Sequence, residues 1–192
     1  MSAKQISLPD FLSRVEEIAA ENTSYRTGGS GKDGTCDCIG LIIGAIRRAG
    51  GSWPGIHGSN YAARYETGGL TKITNQNALR VGELVYKHRS PGEAGYDLPA
   101  RYRNHPDRND YYHVGVVMSV SPLRILHMTT PSIQTDTKLG RWSHHGWCSR
   151  VTDKQEGGDT KLNVQEILAA AAEIEKQLDR IACFRFSSAA SL

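Results

Sequence analysis

Long apolar runs, runs of a single charge, internal repeats and a cysteine framework are all missing from this chain of 192 residues. The longest apolar stretch, Ile39 to Ile46, includes two glycines and falls far short of the ~20 residues that span a bilayer, so no membrane partner is expected. No Lys/Arg run exceeds Arg47-Arg48, and the formal net charge is only +3, which argues against a nucleic-acid partner. The four cysteines, Cys36, Cys38, Cys148 and Cys183, show no disulfide spacing, and a chain of this length builds a core without such staples. Met1 to Ala20 carries Asp10, Glu16 and Glu17 where a secretory signal needs an apolar core, so no signal peptide is expected.

What is present reads as one folded domain with an appendage. Hydrophobic residues make up 39% and charged residues 22%, a globular balance and not a disordered one. Leu8 to Glu21 has the helical period, with Leu8, Phe11, Leu12, Val15, Ile18 and Ala19 on one face and Pro9 in the first turn. A glycine-rich loop, Tyr25 to Gly34, precedes Asp37 to Arg48, which is apolar nearly all round and predicts a helix buried in the core. A short helix over Tyr61 to Glu66 and a strand within Leu79 to Tyr86 follow. Lys87 to Asp110 is polar and rich in Pro, Gly, Arg and Asp, the composition of a long loop.

His113 to Val120 carries valine at 114, 116, 117 and 120 and predicts the best strand, with Leu123 to Met128 as its hairpin partner. Trp142 to Val151 is expected to close the sheet. The domain boundary falls after residue 152. Residues 153–192 then form a charged linker and an amphipathic helix, whose Val164, Ile167, Ala171, Ile174, Leu178 and Ile181 make a heptad seam. That seam suits either packing on its own domain or a homodimer contact.

The chemistry centres on Asp37-Cys38-Ile39-Gly40-Leu41. A cysteine in the first turn of a buried helix sits in the field of the helix N-terminus, which favours the thiolate. The same free N–H groups can hold the oxyanion of a tetrahedral intermediate. The glycine-rich loop before it lets a substrate backbone come close. His113 opens the strongest strand, and His127 lies in the next one. Across a hairpin the pair could serve as a base and the group that orients it. Trp142 and Trp147 flank a polar run, which suits either a sugar or peptide platform or large core residues at a sheet end.

In this order Tyr25-x-x-Gly28-Gly29, Asp37-Cys38-x-Gly40-Leu41, Gly82-Glu83-Leu84-Val85, His113-Val114-Gly115-Val116 and His127 resemble the NlpC-type cell-wall cysteine peptidases, including their phage-associated members. The resemblance spans roughly Tyr25 to Thr129. It implies an α+β, papain-like fold, with a nucleophile helix packed on an antiparallel sheet in the domain 1–152. It implies hydrolysis of a peptide bond in peptidoglycan stem peptides without a cofactor. Cys38 would be nucleophile, His113 general base and His127 the third polar residue. Tyr25 and Gly29 would border the cleft, Asp37 would meet the free amino group of the substrate, and Trp142 would contribute to binding. The enzyme would be made in a bacterial or phage-infected cytoplasm and act on the wall. Where the family has a small hydroxyl residue after the nucleophile, this chain has Ile39.

Other chemistries use overlapping residues. Cys36, Cys38, His144, His145 and Cys148 are zinc-ligand types, and four of them could stabilise a binding module. An amidase or acyltransferase of the same fold would share the acyl-enzyme.

Overall fold

The computed structural model describes residues 4–21 and 23–153. The chain divides into two units after Gln155, and every described residue belongs to the first. The expected linker and heptad helix of residues 153–192, and with them the homodimer contact, lie outside the described residues apart from Asp153.

The chain starts with β1 (Ile6–Ser7) and α1 (Leu8–Ala20). Ser7 caps α1 by accepting the Asp10 N–H at 3.2 Å, which satisfies one of the donors a helix start leaves free. Phe11, Val15 and Ile18, at helical spacing, form its buried face. Two short strands, β2 (Ser24–Tyr25) and β3 (Thr35–Cys36), pair in parallel and bracket the glycine-rich loop.

α2 (Cys38–Arg48) follows directly, and Ile39 through Ile46 are all buried. Fully burying one aliphatic side chain stabilises by about 1.5–3 kcal/mol, so this helix anchors the core. Ile39 points into that core at 2% exposure and lines no open surface. The loop before α2 approaches it closely: a Cβ on Gly40 would fall 1.8 Å from the Gly29 carbonyl oxygen, and one on Gly44 2.5 Å from that of Ser30.

After α2 comes a single turn, α3 (Ser59–Tyr61), continued by a wider turn over Ala62–Glu66. The strands are β4 (Thr67–Lys72), β5 (Leu84–Arg89), β6 (Asp110–Val120), β7 (Leu123–Met128), β8 (Ile133–Asp136), β9 (His144–Cys148) and β10 (Val151–Thr152). Six of them form one antiparallel sheet in the order β4-β9-β5-β6-β7-β8. Leu84, Tyr86, Val114, Val116, Leu126 and Met128 join the core that holds α1 and α2. Val85, Val117, Leu123, Ile125 and Trp142 form a smaller core on alternate positions of the same strands, hence on the other face.

Several boundaries differ from the sequence expectation. Trp142 to Val151 is not one strand: β9 joins the main sheet, while β10 leaves it to pair in parallel with β1. The strand β4 carries Gly68-Gly69 and no apolar alternation, and pairing with β9 alone makes it a strand. Part of the expected 87–110 loop belongs to β5 and contains a 3₁₀ turn at Ala100–Tyr102. Within it, β6 begins at Asp110, because Asn60 donates to Asp110 Oδ1 at 2.8 Å and accepts the Tyr111 N–H at 3.0 Å. These bonds fix the strand end that carries His113.

Candidate active site

Asp37 is the N-cap of α2. Its Oδ1 accepts the Gly40 N–H and its Oδ2 the Gly28 N–H, each at 2.7 Å. His57 Nε2 lies 2.9 and 2.8 Å from the same two oxygens. Burial alone would raise the pKa of this carboxyl, but His57 and the two backbone donors outweigh it and hold it below the ordinary value. A carboxylate with these partners is a structural clamp. Only 6% of Asp37 is exposed. No local pattern marks His57, which lies twenty residues away in an irregular segment.

Gly29 also has a structural role. It is buried, its carbonyl accepts the Asp37 N–H at 3.2 Å, and a Cβ there would meet Thr35 O at 2.8 Å. The close approach that glycine permits here is between the loop and β3. Tyr25 is 37% exposed and pairs in register with Cys36, two residues before Cys38.

Cys38 occupies the first position of α2, partly accessible. Its thiol lies against the backbone N–H of Val114, and against those of Ile39 and Cys38 itself. Val114 directly follows His113, so thiol and imidazole flank one peptide unit. Burial, joined by the negative charge of Asp37, pushes the thiol up to about 12, and the N–H groups offset this only in part. The expected lowering by the helix start is therefore overridden: in the resting protein Cys38 is a thiol. Cys36 and Cys148 are also free, buried and pushed up to about 12, chiefly by burial.

The two histidines meet as their strands allow. His113 Nε2 is 2.9 Å from His127 Nδ1, with ring planes at 88°. Behind them stands a residue absent from the expected site. Asp136 Oδ2 lies 3.3 Å from His127 Nε2, an ion-pair distance without the alignment of a good hydrogen bond. That oxygen also accepts Trp142 Nε1–H at 2.9 Å and lies 3.4 Å from Lys87 Nζ. Burial raises the Asp136 pKa, but Trp142, His127 and Lys87 together hold it below the usual carboxylate value. Asp136 sits on the polar edge strand β8, which sequence periodicity does not reveal. The register of β8 against β7 brings it into place.

Burial is the main force on His113, reinforced by His127 and Lys87, and lowers its pKa to about 3. Its neighbour His127 is lowered for the same reason, partly offset by Asp136. Both rings are thus neutral near pH 7. Trp142 is only 4% exposed, with its ring 5.6 Å from His113 and 5.2 Å from His127. It forms a wall beneath the histidines and offers a substrate little surface. Trp147 is partly buried and donates to Val151 O at 2.8 Å.

No protein-family model matches the sequence, and no curated protein matches it significantly. Two solved structures align over most of the chain. One is a Staphylococcus aureus protein titled as similar to lipoprotein, of the NLP/P60 family: 15% identity, TM-score 0.47, covering 77% of this chain and 44% of its own. The other is the wild-type endolysin LysIME-EF1: 12% identity, TM-score 0.44, covering 75% of this chain and 65% of its own. The alignments therefore span less than two thirds of either solved chain.

Cys36, Cys38, His144, His145 and Cys148 do not form a zinc site. Among the described residues no group of three or more His, Cys, Asp or Glu is arranged to hold a metal ion. His145 Nδ1 pairs with Glu83 Oε2 at 2.7 Å, while His144 packs against His88 and Tyr111. Among the described residues no helix is long and apolar enough to cross a membrane.

Proposed function

We propose that this protein is a papain-like cysteine peptidase that hydrolyses stem peptides of bacterial peptidoglycan through an acyl-enzyme. The observation that carries the reading is the row His113, His127, Asp136, with Cys38 at the start of α2 beside the residue that follows His113. A helix-start thiol lies against the N–H of Val114, and the adjacent histidine is connected through a second one to an anchored carboxylate. The choice of peptidoglycan rests on the five sequence motifs in family order. That reading places the site of action at the cell wall.

The chemistry follows from the geometry. Asp136 can only accept, so His127 carries its proton on Nε2 and presents a bare Nδ1. His113 then donates from Nε2, which leaves His113 Nδ1 unprotonated as the base. It takes the Cys38 proton as Sγ attacks the carbonyl carbon of a peptide bond. A thiolate alone would face Asp37 with little water. A proton passed to His113 instead creates two opposite charges together, so the two ionisations are coupled. The N–H groups at the start of α2 receive the developing oxyanion. The His113 imidazolium returns its proton to the leaving amine, and the C–N bond breaks to give a thioester. Water, deprotonated by His113, attacks the thioester, releases the new carboxyl terminus and restores the thiol.

Mass spectrometry of soluble fragments tests the reading, after purified peptidoglycan is incubated with the protein and with Cys38→Ala. New amino termini within stem peptides are expected from the parent protein and not from the variant. No release by either protein on several wall types would overturn it.

A further inference from the structure

β5 ends in Lys87-His88-Arg89, and the turn at Gly140 brings Arg141 and Ser143 against it. A cleft of about 540 Å³ lies between them, and its lining includes His88, Arg89, Glu93, Arg141, Trp142 and Ser143. Two guanidinium groups lie over the Tyr112 ring, with Arg89 Cζ 4.0 Å and Arg141 Cζ 5.9 Å from its centroid. Arg89 Nη1 donates to Gly95 O at 2.7 Å, but its Nε is buried with no acceptor. Arg141 is exposed and has no carboxylate partner among the described residues. Glu93 is the one acid in the lining, and its carboxylate already accepts the Ser90 N–H. His88 is held by Ser143 Oγ at 2.7 Å from its Nδ1.

Donors and positive charge thus outnumber acceptors in a cleft larger than a single ion needs. Planar guanidinium forks match the geometry of an oxyanion, and contact with the Tyr112 ring restricts their motion. The cleft also adjoins the histidine pair, because its lining includes Trp142, whose ring packs against His113.

We propose that this cleft is an oxyanion subsite that receives a free carboxylate of the substrate peptide, away from the scissile bond, between Arg89 and Arg141. The identification of the carrier as a stem peptide rests on the peptidase reading. The same donors would accept the phosphate of an anionic wall polymer, and the test separates the two sources.

Two stem peptides identical except for one carboxylate or its carboxamide are titrated into the Cys38→Ala protein by calorimetry. The carboxylate peptide is expected to bind about tenfold more tightly, the scale of one charge-assisted contact. Adding Arg141→Gln brings that ratio near one, and Arg141→Lys restores part of it. With Cys38 intact, the same preference resides in KM and not in kcat. Equal affinities in the parent, or a preference that survives Arg141→Gln, would overturn the subsite. Displacement by sn-glycerol 3-phosphate at concentrations where acetate has no effect would assign the cleft to phosphate and overturn the carboxylate. Cleavage without discrimination keeps the peptidase reading and removes the subsite. Discrimination in binding without any cleavage supports the subsite and removes the peptidase reading.

Discussion

His113 Nε2 lies 2.9 Å from His127 Nδ1, and His127 Nε2 in turn lies 3.3 Å from Asp136 Oδ2. The acceptor at the far end sets the tautomer of both rings. Asp136→Ala removes the acceptor that holds the proton on His127 Nε2, so the row no longer fixes His113 Nδ1 as the unprotonated nitrogen. A fall in kcat on the order of a hundredfold or more is expected, as when a triad histidine takes the wrong tautomer. KM is expected to stay near the parent value, because the change acts through the histidine tautomer. A change confined to KM would contradict the tautomer argument.

Buried histidines stored neutral give stability a pH dependence. Burial lowers His113 from 6.5 to about 3, and burial together with His88 lowers His144 to about 4. Between those values and 6.5 the unfolded chain binds more protons than the folded one. Stability is therefore full above about pH 6.5 and declines as pH falls through that window, by about 1.4 kcal/mol per pH unit per group at most. Urea midpoints measured from pH 7.5 to 4 should fall on the acid side, and His144→Gln should flatten the slope. A midpoint constant from pH 7 to 4.5 would count against it. The acid limb of kcat/KM should likewise lie well below pH 6.5.

Asp37 acts on its neighbour through charge. Its carboxylate raises the Cys38 pKa, second only to burial. Asp37→Asn keeps an oxygen to cap α2 but removes that charge, so the thiol pKa should fall. The rate of iodoacetamide alkylation against pH should shift toward lower pH, with Cys38→Ala giving the background from other thiols. A shift upward would mean that the loss of the cap outweighs the charge.

Gly40 is where loop and helix touch. A methyl group there would stand 1.8 Å from Gly29 O, so Gly40→Ala must push the loop away and disturb the Asp37 clamp. A loss of about 1–3 kcal/mol is expected from thermal or denaturant unfolding. Gly28→Ala meets nothing within 4 Å but sits at φ +79°, so a smaller penalty of about 1 kcal/mol comes from backbone strain alone. Equal losses in the two variants would argue that crowding is not the cause.

The sequence by itself determined the elements whose side chains repeat with a period. These are α1, the all-apolar α2 with Cys38 at its start, and the valine-rich β6 paired with β7, which made His113 and His127 neighbours. Periodicity and helix-start chemistry are local, so a single chain displays them. Tertiary structure alone decided what depends on distant groups. Pairing with β9 made a strand of the glycine-bearing β4. The register of β7 against β8 carried Asp136 to His127, and an irregular segment carried His57 to Asp37. Burial reversed the expected effect of the helix start on Cys38, because desolvation of a charge outweighs the dipole of one helix turn. The packing of Trp142 under the histidines was settled in the same way. Its residue type suited either a surface or a core, and the smaller core on that face of the sheet had room for its indole.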